Sequence, residues 1–183
     1  MIQKFEEKRE LKIIQWLDFV AQDASHIFLV GDIFDFWYEY KTVVPKGFFR
    51  LLTKIATLTE KGIRIHYFIG NHDMWTFGYL RDELGIIIYK EPQIFELQGK
   101  TILIGHGDGL GPKDYKYKLL KKIFRFPLFQ FMFGLIHPDI GITIGQKWSY
   151  NSRFMSKKEE QKFDKESEWL YIYSREQKLK NPK

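Results

Sequence analysis

Three apolar strands, each ending in a glycine and then a metal-type side chain, constrain this chain most. Ile27-Phe28-Leu29-Val30 runs into Gly31-Asp32-Ile33-Phe34-Asp35. Ile65-His66-Tyr67-Phe68-Ile69 runs into Gly70-Asn71-His72-Asp73, and Ile102-Leu103-Ile104 into Gly105-His106-Gly107-Asp108. Apolar runs of this kind suit parallel strands buried on both faces, and ligands of open α/β sheets sit beyond the carboxyl ends of such strands. Glycine turns the chain where a Cβ would clash, so the next side chain leans into that space. Asp, Asn and His carry the oxygen and imidazole donors that divalent metals take. Each motif alone fits ordinary turn chemistry, because Gly, Asn and Asp tolerate left-handed backbone. Their recurrence, each directly after an apolar strand, points to one metal-centred site.

Gly31-Asp32-Ile33-Phe34-Asp35, Gly70-Asn71-His72-Asp73 and Gly105-His106 resemble the motifs of the calcineurin-like metallophosphoesterases. Gly31 to Trp37, and His106-Gly107-Asp108-Gly109-Leu110 with Asp114, look like the UDP-2,3-diacylglucosamine hydrolase branch of lipid A synthesis. The resemblance runs from the first helix to about residue 180. That branch usually carries Gly-Asn-Arg-Asp where this chain has His72, which marks a divergent or parallel line. The superfamily pattern also opens with Asp-x-His and closes with Gly-His-x-His. Neither lies within the 183 residues, and the resemblance would place them upstream of Met1 and beyond Lys183.

The resemblance implies an α/β fold, a two-sheet sandwich flanked by helices, with a helical lid inserted at about 112–155. The pattern of the residues agrees. Phe5–Gln22 and Phe48–Lys61 read as helices, the second stopped by Gly62, with strand Ile63–Ile69 after it. Phe77–Leu84 reads as a short helix before Gly85. The rhythm then changes to short strands, Ile86–Tyr89, Gln93–Leu97 and Thr101–Ile104, the last two joined by the hairpin signal Gln98-Gly99-Lys100. Parallel strands in one sheet and a meander in a second are expected.

From Pro112 to Phe154, aromatic residues alternate with lysine and arginine, and Pro127 and Pro138 divide the stretch into short helices. Phe129, Met132, Phe133 and Ile136 fall on one helical face. The two readings are a helical subdomain closed on itself and a lid whose apolar side holds acyl chains; the resemblance favours the lid. Phe36, Trp37, Tyr38 and Tyr40 are expected to pack under their loop or to wall a cleft. Ser156-Lys157-Lys158-Glu159 has the form of a capping box and is expected to open the last helix, with Phe163, Leu170 and Tyr173 on its buried face.

Charge separates the two halves. Residues 1–109 hold 13 basic against 15 acidic side chains, and residues 110–183 hold 16 against 8. A basic, aromatic second half suits an anionic partner such as phosphate, nucleic acid or anionic lipid. The chain has no cysteine, which excludes disulfides and thiolate metal sites and fits a reducing compartment. Neither a signal peptide nor a spanning apolar stretch is visible in it.

The resemblance supplies roles. A metallophosphoesterase attacks phosphorus with water made acidic between two divalent ions. Asp32 is the candidate bridging carboxylate, with Asn71 and His106 as further metal ligands. Mixed nitrogen and oxygen donors suit Mn²⁺, Fe²⁺ or Zn²⁺. This set serves about one ion, since a second would have Asp32 alone. His72 is the candidate acid catalyst, Asp73 its orienting partner, and Asp35 an acceptor behind the ligands. Asn71, His72, Asp114 and Arg153 are candidate substrate contacts. The expected activity is cleavage of a UDP-diacylglucosamine-like lipid to UMP and a lipid sugar phosphate. It would act in the cytoplasm, at the anionic inner face of the inner membrane of a Gram-negative-type bacterium. A phosphodiesterase of nucleotides or nucleic acid is the second reading; the phenylalanine-rich stretch speaks against a nucleic-acid groove. A non-catalytic domain that binds an anionic lipid or partner is the third.

Overall fold

The structure, a computed structural model, describes residues 2–111, 115–158 and 168–180; for 2–7 and 153–158 it describes the backbone alone. Helix α1 spans Ile2–Val20 and leads through a turn into strand β1, His26–Val30. Helix α2, Phe49–Glu60, ends at Gly62 and is followed by β2, Arg64–Phe68. The short helix α3, Tyr79–Asp82, precedes β3, Ile87–Tyr89. Strands β1, β2 and β3 lie side by side in that order, both pairs parallel. Strand β4, Gln93–Leu97, pairs antiparallel with β5, Lys100–Ile104. Gln98 and Gly99 both have positive φ, the backbone of a two-residue hairpin turn.

Alternation along the strands sorts their side chains onto two faces. Ile27 and Leu29 of β1, with Ile65 and Tyr67 of β2, face a core filled by Leu17 of α1 and Leu51, Ile55 and Leu58 of α2. The opposite face carries Phe28, His66, Phe68 and Tyr89. The ring of Phe95 from the hairpin stands edge-on against all four, with centroids 5.0–6.2 Å apart. The fold is therefore mixed α/β with two small sheets.

Several expectations change here. The strand at Ile87–Tyr89 joins the parallel sheet, so the second sheet among the described residues is a hairpin rather than a meander. β2 is buried on both faces from Ile65 on, but β1 is not, since Val30 is 41% exposed.

Beyond the hairpin lie α4, Tyr115–Arg125, α5, Pro127–Gly134, α6, Pro138–Lys158, and α7, Trp169–Lys180. Pro127 opens α5 and Pro138 opens α6, where a missing N–H costs nothing. α6 is long, because no proline or glycine interrupts it after Gly145. Its backbone continues through Ser156, so the expected capping box does not start a helix. The box is a local signal, and it caps only where the preceding residues leave the helix. Phe163 lies outside the described residues. The face of α7 predicted as buried is only partly covered: Tyr173 is half-buried and Leu170 reaches Gly107, but Leu170 stays 58% exposed. On α5, Phe133 is buried, whereas Met132, expected on the same face, points outward.

α4 and α5 are tied to the loops after β1 and β2. Phe133 sits between Tyr38 and Trp75, at centroid distances of 5.0 and 4.5 Å. Tyr38 donates to the Gln130 carbonyl at 2.6 Å and Trp75 to the Phe124 carbonyl at 2.7 Å. Trp37 and Tyr38 pack inward, while Phe36 and Trp37 also wall a cavity.

Candidate active site

The segments after β1, β2 and β5 meet at their carboxyl ends. Gly31 and Gly70 make this possible. Gly31 has φ 73°, and a Cβ on it would strike the ring of His106 and lie 2.9 Å from the Gly70 Cα. A Cβ on Gly70 would strike the Asp32 carboxylate. Asp32 itself adopts φ 53°, a left-handed conformation that costs a non-glycine residue of order 1 kcal/mol and marks a site held by its surroundings.

The surroundings are specific. Asp32 Oδ1 accepts the His72 backbone N–H at 3.0 Å. Asp32 Oδ2 lies 3.3 Å from His106 Nε2 and 3.9 Å from His72 Nε2. Burial pushes the Asp32 carboxyl up, but the His106 hydrogen bond, the His72 N–H and the two imidazoles outweigh it and leave it below the usual range. His106 is held on its other side by Asp108, whose Oδ1 is 3.1 Å from Nδ1. Asp108 first, then Asp32, raise His106 to about 10 against the effect of burial. Asp108 is itself gripped by Lys121 Nζ at 2.6 Å and by the Tyr117 hydroxyl. Burial raises its carboxyl, yet His106, Lys121 and Tyr117 together hold it far below the usual range.

Sequence reading gave Asp108, Tyr117 and Lys121 no role. The one available signal was the aspartate two residues after His106, close enough to reach the imidazole. Nothing local could pair it with α4.

Asp73 lies beneath the turns. It is fully buried, and its oxygens accept the Gly70 N–H at 2.7 Å, the Ile33 N–H at 3.1 Å and the Tyr67 hydroxyl. Burial raises its carboxyl to about 6, against those hydrogen bonds. It clamps the two turns together from beneath, out of a substrate's reach. Asp35 meets Arg9 of α1 at 2.5 Å. His72 is fixed at both backbone atoms, since its carbonyl accepts the Trp37 N–H at 3.1 Å. Asn71 and His72 open onto a cavity of about 200 Å³ lined by Phe36, Trp75, Phe124, Phe129 and Trp148, with Lys121 at its wall. Asp114 lies outside the described residues, and the side chain of Arg153 is likewise not described.

The donor chemistry fits one divalent ion. Asp32 Oδ2 and His106 Nε2 already face each other at 3.3 Å, an oxygen and a nitrogen donor turned to one space. The Asn71 amide stands on the adjoining turn. Among the described residues no three His, Cys, Asp or Glu side chains converge as a metal-holding group.

No family model matches the chain. A UDP-2,3-diacylglucosamine hydrolase of Porphyromonas gingivalis is 33% identical over 94% of the chain and 71% of its own length. The chain belongs to the UDP-2,3-diacylglucosamine hydrolase family. Relatives with the same name from Photorhabdus laumondii and Actinobacillus succinogenes are 28% and 26% identical, over 78% and 73% of the chain. The chain spans 60% and 56% of those two proteins. The resemblance read from Gly31-Asp32, Gly70-Asn71-His72-Asp73 and Gly105-His106 is thus the family that its relatives carry by name.

Proposed function

We propose that this protein is a hydrolase of a UDP-2,3-diacylglucosamine-like lipid, releasing UMP and a diacylglucosamine phosphate. One observation carries the reading beyond the relatives' names. An apolar, aromatic cavity opens directly beside Asn71 and His72, so one ligand would meet the polar turns with its phosphates and the cavity with its hydrocarbon. A nucleotide or nucleic acid would leave that cavity unused.

Water adds to one phosphorus of the pyrophosphate, and the bridging P–O bond breaks toward the departing phosphate. Asp32, Asn71 and His106 would hold a divalent ion, Mn²⁺ in the first instance and Fe²⁺ or Zn²⁺ as alternatives, which supplies acidified water and a sink for phosphoryl charge. Asp108 fixes the His106 ring through Nδ1, so that Nε2 faces Asp32. His72 projects at the cavity mouth and gives a proton to the leaving oxygen. Asp73 acts only through position, by fixing the turn that carries Asn71 and His72. Asn71, His72, Asp114 and Arg153 contact the substrate, with Lys121 offering charge from the cavity wall.

The helices of about 112–155 form the lid of a two-sheet sandwich in this reading. Their outer surface exposes Leu119, Phe126, Leu128, Phe131 and Leu135 beside Lys118, Lys122 and Arg125. Such a surface would rest on an anionic membrane. None of the described helices is long and apolar enough to cross a membrane, so contact from the cytoplasmic side would be peripheral.

The test is UMP release from UDP-2,3-diacylglucosamine with Mn²⁺ added. His72→Ala is expected to lower the rate by about 10²–10⁴-fold. No release by the wild type under any divalent ion would refute hydrolysis.

A further inference from the structure

One carboxylate serves two parts of the molecule at once. Asp108 turns Oδ1 to His106 Nδ1 at 3.1 Å. It turns Oδ2 to α4, where Lys121 Nζ lies at 2.6 Å and the Tyr117 hydroxyl also donates. Tyr117 and Lys121 are four residues apart, so they share one face of the helix. The turn is shaped for both contacts. Gly107 and Gly109 flank Asp108 with φ 84° and 71°, and a Cβ on Gly109 would stand 2.9 Å from the Tyr117 ring. α4 itself buries no side chain, and Tyr115 and Leu119 are 74% and 61% exposed. Its far end is fastened separately, by the Trp75 indole on the Phe124 carbonyl and by Arg125 on Glu91 at 3.0 Å. With no buried side chain to seat it, the near end depends on the Asp108 contacts.

We propose that Lys121 and Tyr117 are positioning residues for His106, and that through Asp108 they couple the seating of α4 to the loading of that imidazole with a divalent ion. This deepens the reading of His106 as a metal ligand and rests on it. With His106 ligated at Nε2, its ring is fixed. The ring fixes Asp108 through Nδ1, and the second oxygen of Asp108 then meets α4 in one place. Coupling of this kind is reciprocal: whatever seats α4 tightens the hold on the ion by the same factor. α4 thus settles over a loaded site and stays looser over an empty one, which orders the ion before the substrate.

The experiment reads Mn²⁺ affinity by calorimetry and amide exchange of residues 115–122 by mass spectrometry, both without substrate. In the wild type, Mn²⁺ should slow exchange in that segment. Lys121→Met should weaken Mn²⁺ binding by about tenfold, the low end for partners that act through a ligand, and should remove the ion-dependent slowing. Removing a cation beside the site would strengthen binding if charge alone acted, so the sign separates positioning from electrostatics. Lys121→Arg keeps the charge and the donors and should restore both readings. Tyr117→Phe should shift both in the same direction as Lys121→Met. Lys122→Met removes the same charge from an exposed position on α4 and should change neither. Unchanged or tighter binding in Lys121→Met would overturn the proposal, and so would an equal loss in Lys122→Met. Exchange in α4 that ignores Mn²⁺, in a wild type that binds it, would overturn the coupling. A wild type that binds no Mn²⁺ is recognised from the isotherm alone; it refutes His106 as a metal ligand, and the coupling falls with it.

Discussion

Asp32 Oδ2 and His106 Nε2 face each other at 3.3 Å, although one follows β1 and the other follows β5. The contact depends on Gly31, where any side chain would strike the His106 ring. It joins the parallel sheet and the hairpin at one point, and it presents an oxygen and a nitrogen donor to the same space.

Asp32 should therefore decide metal binding. Its carboxylate meets both His72 and His106. Asp32→Ala is expected to abolish Mn²⁺ binding measured by calorimetry, with the far-ultraviolet circular dichroism unchanged. Undiminished binding in that variant would move the metal site elsewhere.

Asp108 should tune the same site from behind. It fixes His106 through Nδ1, and Lys121 and Tyr117 hold it in place. Partners of this kind typically contribute 10–100-fold to metal affinity or activity. Asp108→Asn is expected to weaken Mn²⁺ binding by about that factor, because the amide keeps the shape but not the charge. The same binding isotherm checks it, and wild-type affinity would show that His106 needs no such support.

The part of this site written in the sequence is the part made locally. A strand, a glycine and a ligand-type residue are adjacent in the chain, so Asp32, Asn71, His72 and His106 could be picked out by their order. Asp73 belongs to the same motif, yet its partners are Tyr67 and the Ile33 and Gly70 amides, so it clamps rather than reacts. Asp108 acquires its role only when α4 brings Lys121 and Tyr117 to it. The same limit explains the last helices. Ser156 has the residues of a cap, but helix α6 passes through it because nothing before it ends the helix. Leu170 has helical spacing for a buried face, but spacing does not say how completely the opposing surface covers it: it reaches Gly107 and is still 58% exposed.

Glu39 shows a local residue with a distant task. It is buried, and its carboxylate accepts the backbone N–H groups of Phe77, Gly78, Tyr79 and Leu80 at the start of α3, as well as the Trp37 indole. It thereby fastens the loop that carries Phe36 and Trp37 to the segment after His72. Glu39→Ala would leave those donors unpaired in the interior. Hydrogen bonds to a charged group contribute roughly 1.5–3 kcal/mol each but act here as one unit, so a loss of about 3 kcal/mol is expected. Urea unfolding measures it, and a loss under about 1 kcal/mol would mean that water replaces the carboxylate.

The last prediction concerns pH and lies away from the metal ligands. His66 on β2 is buried against Phe28 and Phe95, with Nε2 2.8 Å from His26 Nδ1 and Nδ1 2.9 Å from the Tyr89 hydroxyl. Burial, and then the charges of His26 and Arg64, lower its pKa below the ordinary 6.5. The unfolded chain therefore binds a proton at His66 before the folded chain does. Above pH 6.5 both states are neutral there and the contribution is at its full value. As pH falls through 6.5, the unfolded state gains protons that the folded state refuses, and stability drops until the lowered folded pKa is passed. His66→Gln keeps an amide to meet His26 and Tyr89 but cannot titrate. Its stability at pH 7.5 should be somewhat lower than the wild type's, and its decline between pH 7 and pH 5 should be shallower. Urea unfolding across that range compares the two slopes. Parallel slopes would show that His66 takes up its proton as readily in the fold as out of it, and that the His26–His66–Tyr89 chain does not hold it neutral.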